Sequence, residues 1–579
     1  MTSLATLRKT LQYRIFESIL AITTYGFFIF ILGVSFFYPE ISAAIILLYS
    51  FGWLLRVALI NLYTLFTFKN LLRWKKVQAW KWLQLLATHP VKAEQIMREF
   101  RDLHRTKLNH ARDLDYLIGG IHTIQNTKYQ DPTKIWQLPI FAIYNESPAV
   151  LERSLKAVYE SEYDLKHIIV FITQEARLGM IENKLFRAKI SELEWVQISE
   201  IEDIPLDTIF HGDHATFKYK NKNIAKLKLD PQRLNIIFTA HPDGLLGEIK
   251  GKASNEDWAG RTISLFAKAR GIDPELALVT SLDADSSVSK DYFALLSLRY
   301  ALTDKRTRFG FQSIPVYTKN IFETTLIPRL IAFQTTLWTM AQNGMEGKTH
   351  FFANYSVPLI VLQEADFWDR EHIAEDYIFF ARCFKRYNGD FKVLPFYGMF
   401  NGDAVIGDDY IHAIENQYKQ HQRWSWGGVE SIAYLLHNLF VVKNTIPLHK
   451  KLSEFIGIFI NHHFWATAPM LFSIGILLPA FFGGIAFEQS SIAQNLILFS
   501  TYFALISYSF VVIFAFISYD ILQRTADLRQ ASQAKQIGII VLQALFTPFV
   551  YGFMAIPAIN AQTRGLLGNY LGYWVTPKK

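Results

Sequence analysis

The chain has 579 residues, of which 51% are hydrophobic and 19% are charged, and its formal net charge is +8. This composition lies on the apolar side of ordinary soluble proteins. The single cysteine excludes an internal disulfide and makes a cysteine-rich metal site unexpected. The positive charge is not gathered into a basic block or a known binding signature, so nucleic acid is not an expected partner.

The apolar residues are concentrated at the two ends of the chain. Stretches without Asp, Glu, Lys or Arg, apart from Arg56 in the second, cover 18–37, 41–68, 455–487, 489–519 and 536–563. Each reaches the roughly 20 residues that a membrane-spanning helix needs. Buried helices of a large soluble enzyme are the alternative, but they would not be confined to the two ends. The sequence therefore predicts an integral, multi-pass membrane protein that contacts membrane lipid.

Basic residues predict which side of the membrane the middle of the chain occupies. Arg8, Lys9 and Arg14 precede the first stretch, Lys and Arg recur at 69–76 after the second, and the link at 38–40 has neither. Cytoplasmic flanks collect Lys and Arg. The first two spans should therefore form a hairpin with both ends inside, which leaves residues 69–454 on the cytoplasmic side of the cell membrane.

The middle of the chain alternates between short apolar segments and helical ones. Strands are predicted at 138–144, 167–173, 234–240 and 276–282. After the first strand, Ser147 followed by Pro148 is a favoured helix start. Such alternation indicates a parallel α/β sheet, in which ligands bind at the carboxyl ends of the strands.

Two aspartates follow the strand predicted at 276–282. Asp283 and Asp285 stand at i and i+2, so on an extended chain their side chains point the same way. Paired carboxylates attract a hard divalent cation, Mg²⁺ or Mn²⁺, which can bridge phosphate oxygens and neutralise a departing diphosphate. An isolated Asp-x-Asp is usually a turn or a cap, and the position directly after a buried strand is what favours a metal site here.

Two later motifs carry further candidates. Glu375 and Asp376 stand at a predicted helix start, where they are either caps stabilised by the helix dipole or a general base for an acceptor hydroxyl. Gln420, Arg423 and Trp424 follow as a set. Arg can pair with a phosphate and a Trp face can stack on a sugar ring, whereas a snorkelling Arg and a packed Trp are the alternative.

In this order the motifs resemble those of the membrane branch of glycosyltransferase family 2, the cellulose, hyaluronan and chitin synthases. The resemblance covers roughly residues 136–429, the arrangement of spans and the C-terminal tail. Lys252 and Asn255 are similar to the Lys-Ala-Gly-Asn segment of that family, and residues 573–578 are similar to its Phe-x-Val-Thr-x-Lys gating segment. Each motif is weak alone, but their common order and spacing are specific.

The resemblance implies a Rossmann-like α/β GT-A fold and an inverting hexosyl transfer from a nucleotide sugar, with a UDP-sugar as the expected donor. It implies Asp285 and Asp283 as metal ligands and Asp376 as the catalytic base. The donor contacts that it implies are Asn145, Glu146, Lys252, Asn255, Asp283, Arg423 and Lys578. The acceptor contacts that it implies are Gln420, Trp424 and Glu375.

The chain also departs from the family pattern. After the second strand the family carries an Asp pair that holds the base and ribose, and here Glu175 is the expected substitute in donor binding. The Thr of the Thr-Glu-Asp motif is Ala374. Residues 239–260 form a longer and more charged segment than the family has around its Lys and Asn. These differences indicate a divergent subfamily and leave the nucleobase and the sugar open.

The sequence predicts a succession of units along the chain. They are a transmembrane hairpin at 1–68, a helical interfacial linker at 69–135, a GT-A domain at 136–430, an interfacial helix at 431–454, a transmembrane region at 455–563 and a cytoplasmic gating-like tail at 564–579. Three full spans after residue 454 would leave this tail outside. Because Pro548 and Pro557 can break the last helix and basic residues flank it on both sides, we expect 536–563 to be re-entrant or a broken pair of half-helices, which leaves the tail cytoplasmic.

Three functions fit these features. A processive synthase would extend a polysaccharide and pass it through its own membrane helices, and the Gln-x-x-Arg-Trp and tail motifs favour it. A single-addition transferase would act on a membrane lipid; ceramide glucosyltransferases carry a similar motif. A non-enzymatic membrane protein that only senses a nucleotide is disfavoured by the combined base and metal motifs.

Overall fold

The computed structural model describes residues 3–105, 111–125, 131–201, 206–211, 214–219 and 227–577. The N-terminal helices are α1 (Leu4–Leu7), α2 (Leu11–Phe37), α3 (Pro39–Trp74), α4 (Ala79–Thr88), α5 (Pro90–His104) and α6 (Arg112–Gln125). Helices α2 and α3 are long and apolar enough to cross a membrane. Pro39 begins α3, where its missing N–H costs nothing, so a single residue separates the two helices of the hairpin.

The middle of the chain forms an α/β domain. Its strands are β1 (Trp136–Ile143), β2 (Ile169–Glu175), β3 (Val196–Ile201), β4 (Leu206–His211), β5 (His214–Tyr219), β6 (Leu234–His241), β7 (Ala277–Leu282), β8 (Ser287–Val288), β9 (Phe309–Val316), β10 (Tyr355–Pro358) and β11 (Lys392–Asn401). Its helices are α7 (Pro148–Tyr159), α8 (Met180–Ser191), α9 (Lys252–Arg270), α10 (Tyr292–Ala301), α11 (Leu326–Gly344), α12 (Leu359–Glu364) and α13 (Glu375–Arg386).

Within the described ranges, nine strands form one mixed sheet in the order β3-β6-β2-β1-β7-β10-β9-β11-β8, and β4 pairs only with β5. Strands β3, β6, β2, β1 and β7 run parallel, whereas β10 is antiparallel to both β7 and β9. The four strands predicted from the sequence correspond to β1, β2, β6 and β7. The predicted α/β fold of the GT-A class, with apolar helices at both ends, is confirmed.

Alternation of side chains along β1 places the sheet between two layers of helices. Leu138 and Ile140 pack with α9 on one face, and Phe141 and Ile143 pack with α7 and α10 on the other. The side chain of Ser147 accepts the N–H of Val150 and so caps α7 where the sequence predicts its start. Because β1, β2, β6 and β7 share one direction, their carboxyl ends meet at one edge of the sheet.

The C-terminal helices are α14 (Tyr410–Leu435), α15 (Leu448–Ser473), α16 (Leu478–Glu488), α17 (Ser491–Thr525) and α18 (Gln533–Leu567). Helix α17 is long and apolar enough to cross a membrane. The pair α15–α16 bends by 45°, and α18 bends by 59° between Gln533–Thr547 and Phe549–Leu567. The separate helix expected at 431–454 differs from the structure, because α14 continues to Leu435 and passes into a π-helical turn at Leu436–Val441.

Both ends of α18 contact residues that precede it in the chain, outside the neighbouring helix α17. Near its start, the Lys535 ammonium donates to the carbonyl oxygen of Phe322 at 3.3 Å. Near its end, Gly565 lies so close to Val429 of α14 that an added Cβ would be 2.9 Å from that side chain. The bend in α18 therefore lies between a contact with the α/β domain and a contact with α14.

Candidate active site

Lys252 is the centre of a cluster of carboxylates at the carboxyl edge of the sheet. It is the first residue of α9, and its Nζ lies 2.8 Å from Asp283 Oδ1, 3.4 Å from Glu375 Oε1 and 3.6 Å from Glu256 Oε1. Burial alone would lower the pKa of Lys252, but the three carboxylates outweigh it and raise this pKa well above its usual value. Three separate parts of the chain, α9, the end of β7 and the start of α13, therefore meet at one ammonium group.

The Asp283–Asp285 turn is fixed by residues from distant parts of the chain. The Asp283 N–H donates to Asn354 Oδ1 at 2.9 Å, and Asn354 adopts a left-handed φ of 60° that Asn tolerates. Asp285 Oδ2 accepts the N–H of Asp403 at 3.0 Å. Asp285 is 4% exposed, while the side chain of Asp283 is 30% exposed. The side chain of Asp283 is therefore accessible from the cleft at the carboxyl edge of the sheet, whereas Asp285 is buried beneath it.

The acidic pair predicted at a helix start occupies the first two positions of α13. Asp376 Oδ1 accepts the N–H of Tyr377 at 2.7 Å. Burial, together with the negative charge of Glu375, raises the pKa of Asp376 to about 7, although that hydrogen bond and the charges of Lys252 and Arg423 oppose the rise. A carboxylate that titrates near neutral pH is suited to accept a proton from a hydroxyl group.

Glu256 is a member of the cluster that the motifs did not reveal. It is fully buried, and the Ser281 hydroxyl donates to its Oε1. Burial raises the pKa of Glu256 to about 8, with Lys252 opposing the shift. Its only signal in the sequence is the i, i+4 spacing from Lys252, which puts both side chains on one face of α9.

The C-terminal tail reaches the same cleft. The ring centroid of Tyr573 lies 5.1 Å from the Arg423 guanidinium, and the ring rests against Gly251, the residue before Lys252. Burial alone would lower the pKa of Arg423, but neighbouring groups, among them Tyr573, Glu375 and Asp283, raise it. Lys578, the tail residue predicted to contact the donor, lies outside the described residues.

Gln420 and Trp424 lie on α14 before and after His421. Gln420 Oε1 accepts from Gln417 Nε2 at 2.9 Å, and the Trp424 ring centroid is 4.9 Å from that of His421. His421 in turn lies 6.0 Å from Trp465 of α15. His421 therefore links this part of α14 to α15.

The remaining predicted donor contacts lie at the ends of β1 and β2. Asn145 and Glu146 form the turn after β1, and Glu146 Oε2 accepts the N–H of Tyr144 at 2.8 Å. Glu175 at the end of β2 pairs with Arg177, whose guanidinium lies 4.0 Å from the Tyr144 ring centroid. Glu175 and Arg177 border a pocket that residues 241–245 and 248–250 also line.

Asn255, a predicted donor contact, forms hydrogen bonds to the ends of two strands. Its amide nitrogen donates to the carbonyl oxygens of Ile143 and Thr173, at 3.3 and 3.1 Å. Its Oδ1 is buried without a hydrogen-bond partner in the part of the chain that the structure describes. The bonds of this predicted donor contact thus tie the ends of β1 and β2 together.

The described residues contain no group of three or more His, Cys, Asp or Glu side chains arranged to hold a metal ion. Asp283 and Asp285 supply two carboxylates. Mg²⁺ is usually bound in proteins by one or two carboxylates and completes its shell with substrate phosphates and water. The pair therefore fits a cation that arrives with a diphosphate.

Comparison with known proteins identifies the domain. Residues 278–519, which include β7, the start of α13 and most of the C-terminal helices, match the family described as "Glycosyl transferase family group 2". The match begins in β7 and ends in α17, so it covers the second part of the α/β domain and helices that follow it. The predicted family and the predicted class of enzyme are thereby confirmed. No protein of curated function matches the chain in sequence.

Several solved structures are similar to the chain. The mannosyltransferase PcManGT from Pyrobaculum calidifontis, in complex with GDP-Man and Mn²⁺, is 12% identical with a TM-score of 0.38, and the match covers 84% of this chain and 100% of that one. The TarS 1–349 fragment from S. aureus, in complex with UDP-GlcNAc, is 10% identical with a TM-score of 0.27 over 76% of this chain and 93% of that one. GalNAc-T7 with UDP, GalNAc and Mn²⁺ is 10% identical with a TM-score of 0.27 over 60% of this chain and 58% of that one.

Proposed function

We propose that this glycosyltransferase moves a hexose from a nucleoside-diphosphate sugar, with UDP as the nucleotide, to a growing polysaccharide. The transfer inverts the anomeric carbon, repeats on one chain and is coupled to passage of the product through the membrane helices. The supporting observation is the convergence at Lys252 of the Asp283 turn and the Glu375–Asp376 helix start, at the sheet edge where α/β proteins bind ligands.

In this proposal Asp376 accepts the proton of an acceptor hydroxyl. The hydroxyl oxygen forms a bond to the anomeric carbon while the bond from that carbon to the diphosphate oxygen breaks, and the leaving diphosphate keeps the electron pair. Lys252 and Arg423 face the diphosphate and offset part of its charge. Mg²⁺ or Mn²⁺, held by Asp285 and Asp283, would supply further neutralisation of that leaving group. Mn²⁺ accompanies the nucleotide in two of the similar structures.

Aromatic side chains support a path for the product away from the cleft. Trp424 and Gln420 would contact the acceptor end, and the next helix, α15, carries both His462 and Trp465, whose ring centroids are 5.7 Å apart. The Trp465 indole N–H donates to the carbonyl oxygen of Met554 at 3.1 Å, so α15 and the bent helix α18 share this region. Aromatic faces that line a path can stack on successive sugar rings.

We also propose that the α/β domain is cytoplasmic and that α18 is re-entrant, so that the tail stays on the side of the domain. The contacts of Lys535, Gly565 and Tyr573 with the catalytic half of the chain support this arrangement. Cys383 is the only cysteine and is fully buried. A single exposed cysteine introduced elsewhere can therefore be labelled without labelling of Cys383. An impermeant thiol reagent should label Gln489→Cys in intact cells and Asn569→Cys only after permeabilisation. Labelling of Asn569→Cys from outside would exclude the re-entrant arrangement.

Product sizing tests the reaction itself. Membranes containing the full-length protein are incubated with radiolabelled UDP-glucose, UDP-GlcNAc or GDP-mannose, and products are separated by size and by extraction into organic solvent. A ladder of polymers supports a processive synthase, whereas one labelled sugar in the lipid fraction supports the single-addition alternative. Asp376→Asn should abolish transfer, and full activity of that variant would refute the assignment of the base.

A further inference from the structure

The turn that carries Glu375 and Asp376 has no cap of its own. Ala374 is the N-cap residue of α13, and a methyl side chain accepts no hydrogen bond from the first turn. A Ser, Thr, Asn or Asp at this position would accept a hydrogen bond from the first turn and stabilise the helix start. Since the position of Asp376 depends on this turn, some other group must fix it.

A neighbouring helix supplies that group. Glu430 of α14 accepts the N–H of Ile373 and the N–H of Ala374 on one oxygen, Oε2, at 2.8 and 3.2 Å. Glu430 is 3% exposed, so these bonds form away from water. It stands seven residues after Arg423, which puts both side chains on one face of α14, toward the start of α13. One helix face thus reaches both the cleft and the turn beneath the candidate base.

Close packing allows Glu430 to reach the turn. Gly427 of α14 faces Ala374, and a Cβ added at Gly427 would lie 3.3 Å from the Ala374 Cβ. Two small residues therefore let the two helices approach. A Thr in place of Ala374 would bring additional atoms into this contact. The Glu430 carboxylate instead holds the N–H groups of Ile373 and Ala374, so it fixes the residues that lead into the helix.

The N-terminal segment balances the charge of this buried carboxylate. Arg8 Nη2 lies 3.4 Å from Glu430 Oε1, and Arg8 Nε lies 2.8 Å from Glu17 of α2. The Arg8 guanidinium also lies 3.9 Å from the ring centroid of Tyr570 in the tail. A buried carboxylate needs such a partner, because an unpaired buried charge is strongly destabilising.

We propose that Glu430 is a positioning residue of the transfer reaction, which holds the turn before Glu375 and Asp376 in place from α14, with Arg8 as its counter-ion. This inference rests on the proposed function, in which Asp376 is the base. It assigns a role in the chemistry to the N-terminal segment, which lies outside the α/β domain.

Substitutions at Glu430 distinguish the effect of its side-chain length from the effect of its negative charge. Gln keeps the length of the side chain and an acceptor oxygen, whereas Asp keeps the charge but is one methylene shorter. We expect kcat for nucleoside diphosphate release to fall by about 100-fold in Glu430→Ala and Glu430→Asp, since a small displacement of a catalytic group has this effect, and by less than about 5-fold in Glu430→Gln. The donor KM should change by less than about 3-fold in all three, because the donor contacts remain.

Glu17→Gln is the matched control, because Glu17 also pairs with Arg8 but makes no bond to the turn. It should keep the kcat of the wild type. Detergent-solubilised variants are compared by gel filtration so that kcat is measured only on folded protein. The proposal is overturned if Glu430→Asp is as active as Glu430→Gln or more so, or if Glu17→Gln loses as much kcat as Glu430→Ala.

Asp376→Asn, measured in parallel, distinguishes failure of the proposed base from failure of the proposed positioning residue. Full activity of Asp376→Asn would refute the base and the positioning role together. An inactive Asp376→Asn beside a fully active Glu430→Ala would refute the positioning role alone.

Discussion

The pH dependence of transfer can be shifted by changing the neighbour of the candidate base. Asp376 has its pKa raised to about 7 by burial and by the charge of Glu375, and it must be ionised to accept a proton. Activity should therefore rise with pH through an acid limb whose midpoint lies near that value. In Glu375→Gln the repelling charge is absent, while the opposing charges of Lys252 and Arg423 remain. The loss of repulsion lowers the pKa of Asp376 and moves the acid limb to lower pH.

The structure sets the size of this shift. Burial is the larger cause and persists in the variant, so we expect a fall of about one pKa unit, equivalent to about 1.4 kcal/mol. At about pH 6 the ionised fraction of Asp376 then rises from about one tenth to about one half, and the rate relative to each enzyme's own plateau rises about 5-fold. Comparison with the plateau is needed because Glu375 is also a predicted acceptor contact.

The assay is release of nucleoside diphosphate by detergent-solubilised protein between about pH 5 and about pH 9, a range that brackets the shifted and unshifted limbs. Glu364→Gln serves as the control, because Glu364 lies at the end of α12 and pairs with Arg386 outside the cleft. Its acid limb should coincide with that of the wild type. An acid limb in Glu375→Gln that stays in place, or that moves to higher pH, would refute the reasoning.

Three further predictions address the tail, the helix packing and the metal. Tyr573→Ala removes the ring beside Arg423 and should raise the donor KM by about 2- to 30-fold, the range of a cation–π contact, while Tyr573→Phe should stay close to the wild type. Gly428→Ala places a methyl group against the His462 ring and should lower the thermal unfolding temperature, whereas Gly457→Ala, with no atom within 4 Å of the added Cβ, should not. Chelation of divalent cations should abolish transfer, and Mn²⁺ or Mg²⁺ should restore it.

The parts of the fold that sequence predicts best are those set by local pattern. The strands β1, β2, β6 and β7 are short buried runs bounded by polar turns, and the start of α7 is marked by Ser147 and Pro148. The position of Asp283 directly after β7 follows from the same pattern. These features depend on neighbours in the sequence, so a single chain suffices to predict them.

The supports of the site are not local and could not be predicted in this way. Asn354 and Asp403 reach the Asp283 turn from segments more than 70 residues away, since the hydrogen bonds join positions separated by 71 and 118 residues. Nothing in their own surroundings marks them as partners of that turn. The apolar residues after Val429 predict a separate interfacial helix, whereas in the structure they pack inside the protein and continue α14 to Leu435.

The carboxylates around Lys252 also have a consequence for the order of binding. Asp283, Glu375 and Asp376 together carry more negative charge than Lys252 and Arg423 can offset once Asp376 is ionised. A free nucleoside diphosphate is itself an anion and would meet net repulsion at the mouth of this cleft. We therefore expect the donor to enter as its complex with a divalent cation, and the released nucleotide to depart in the same form.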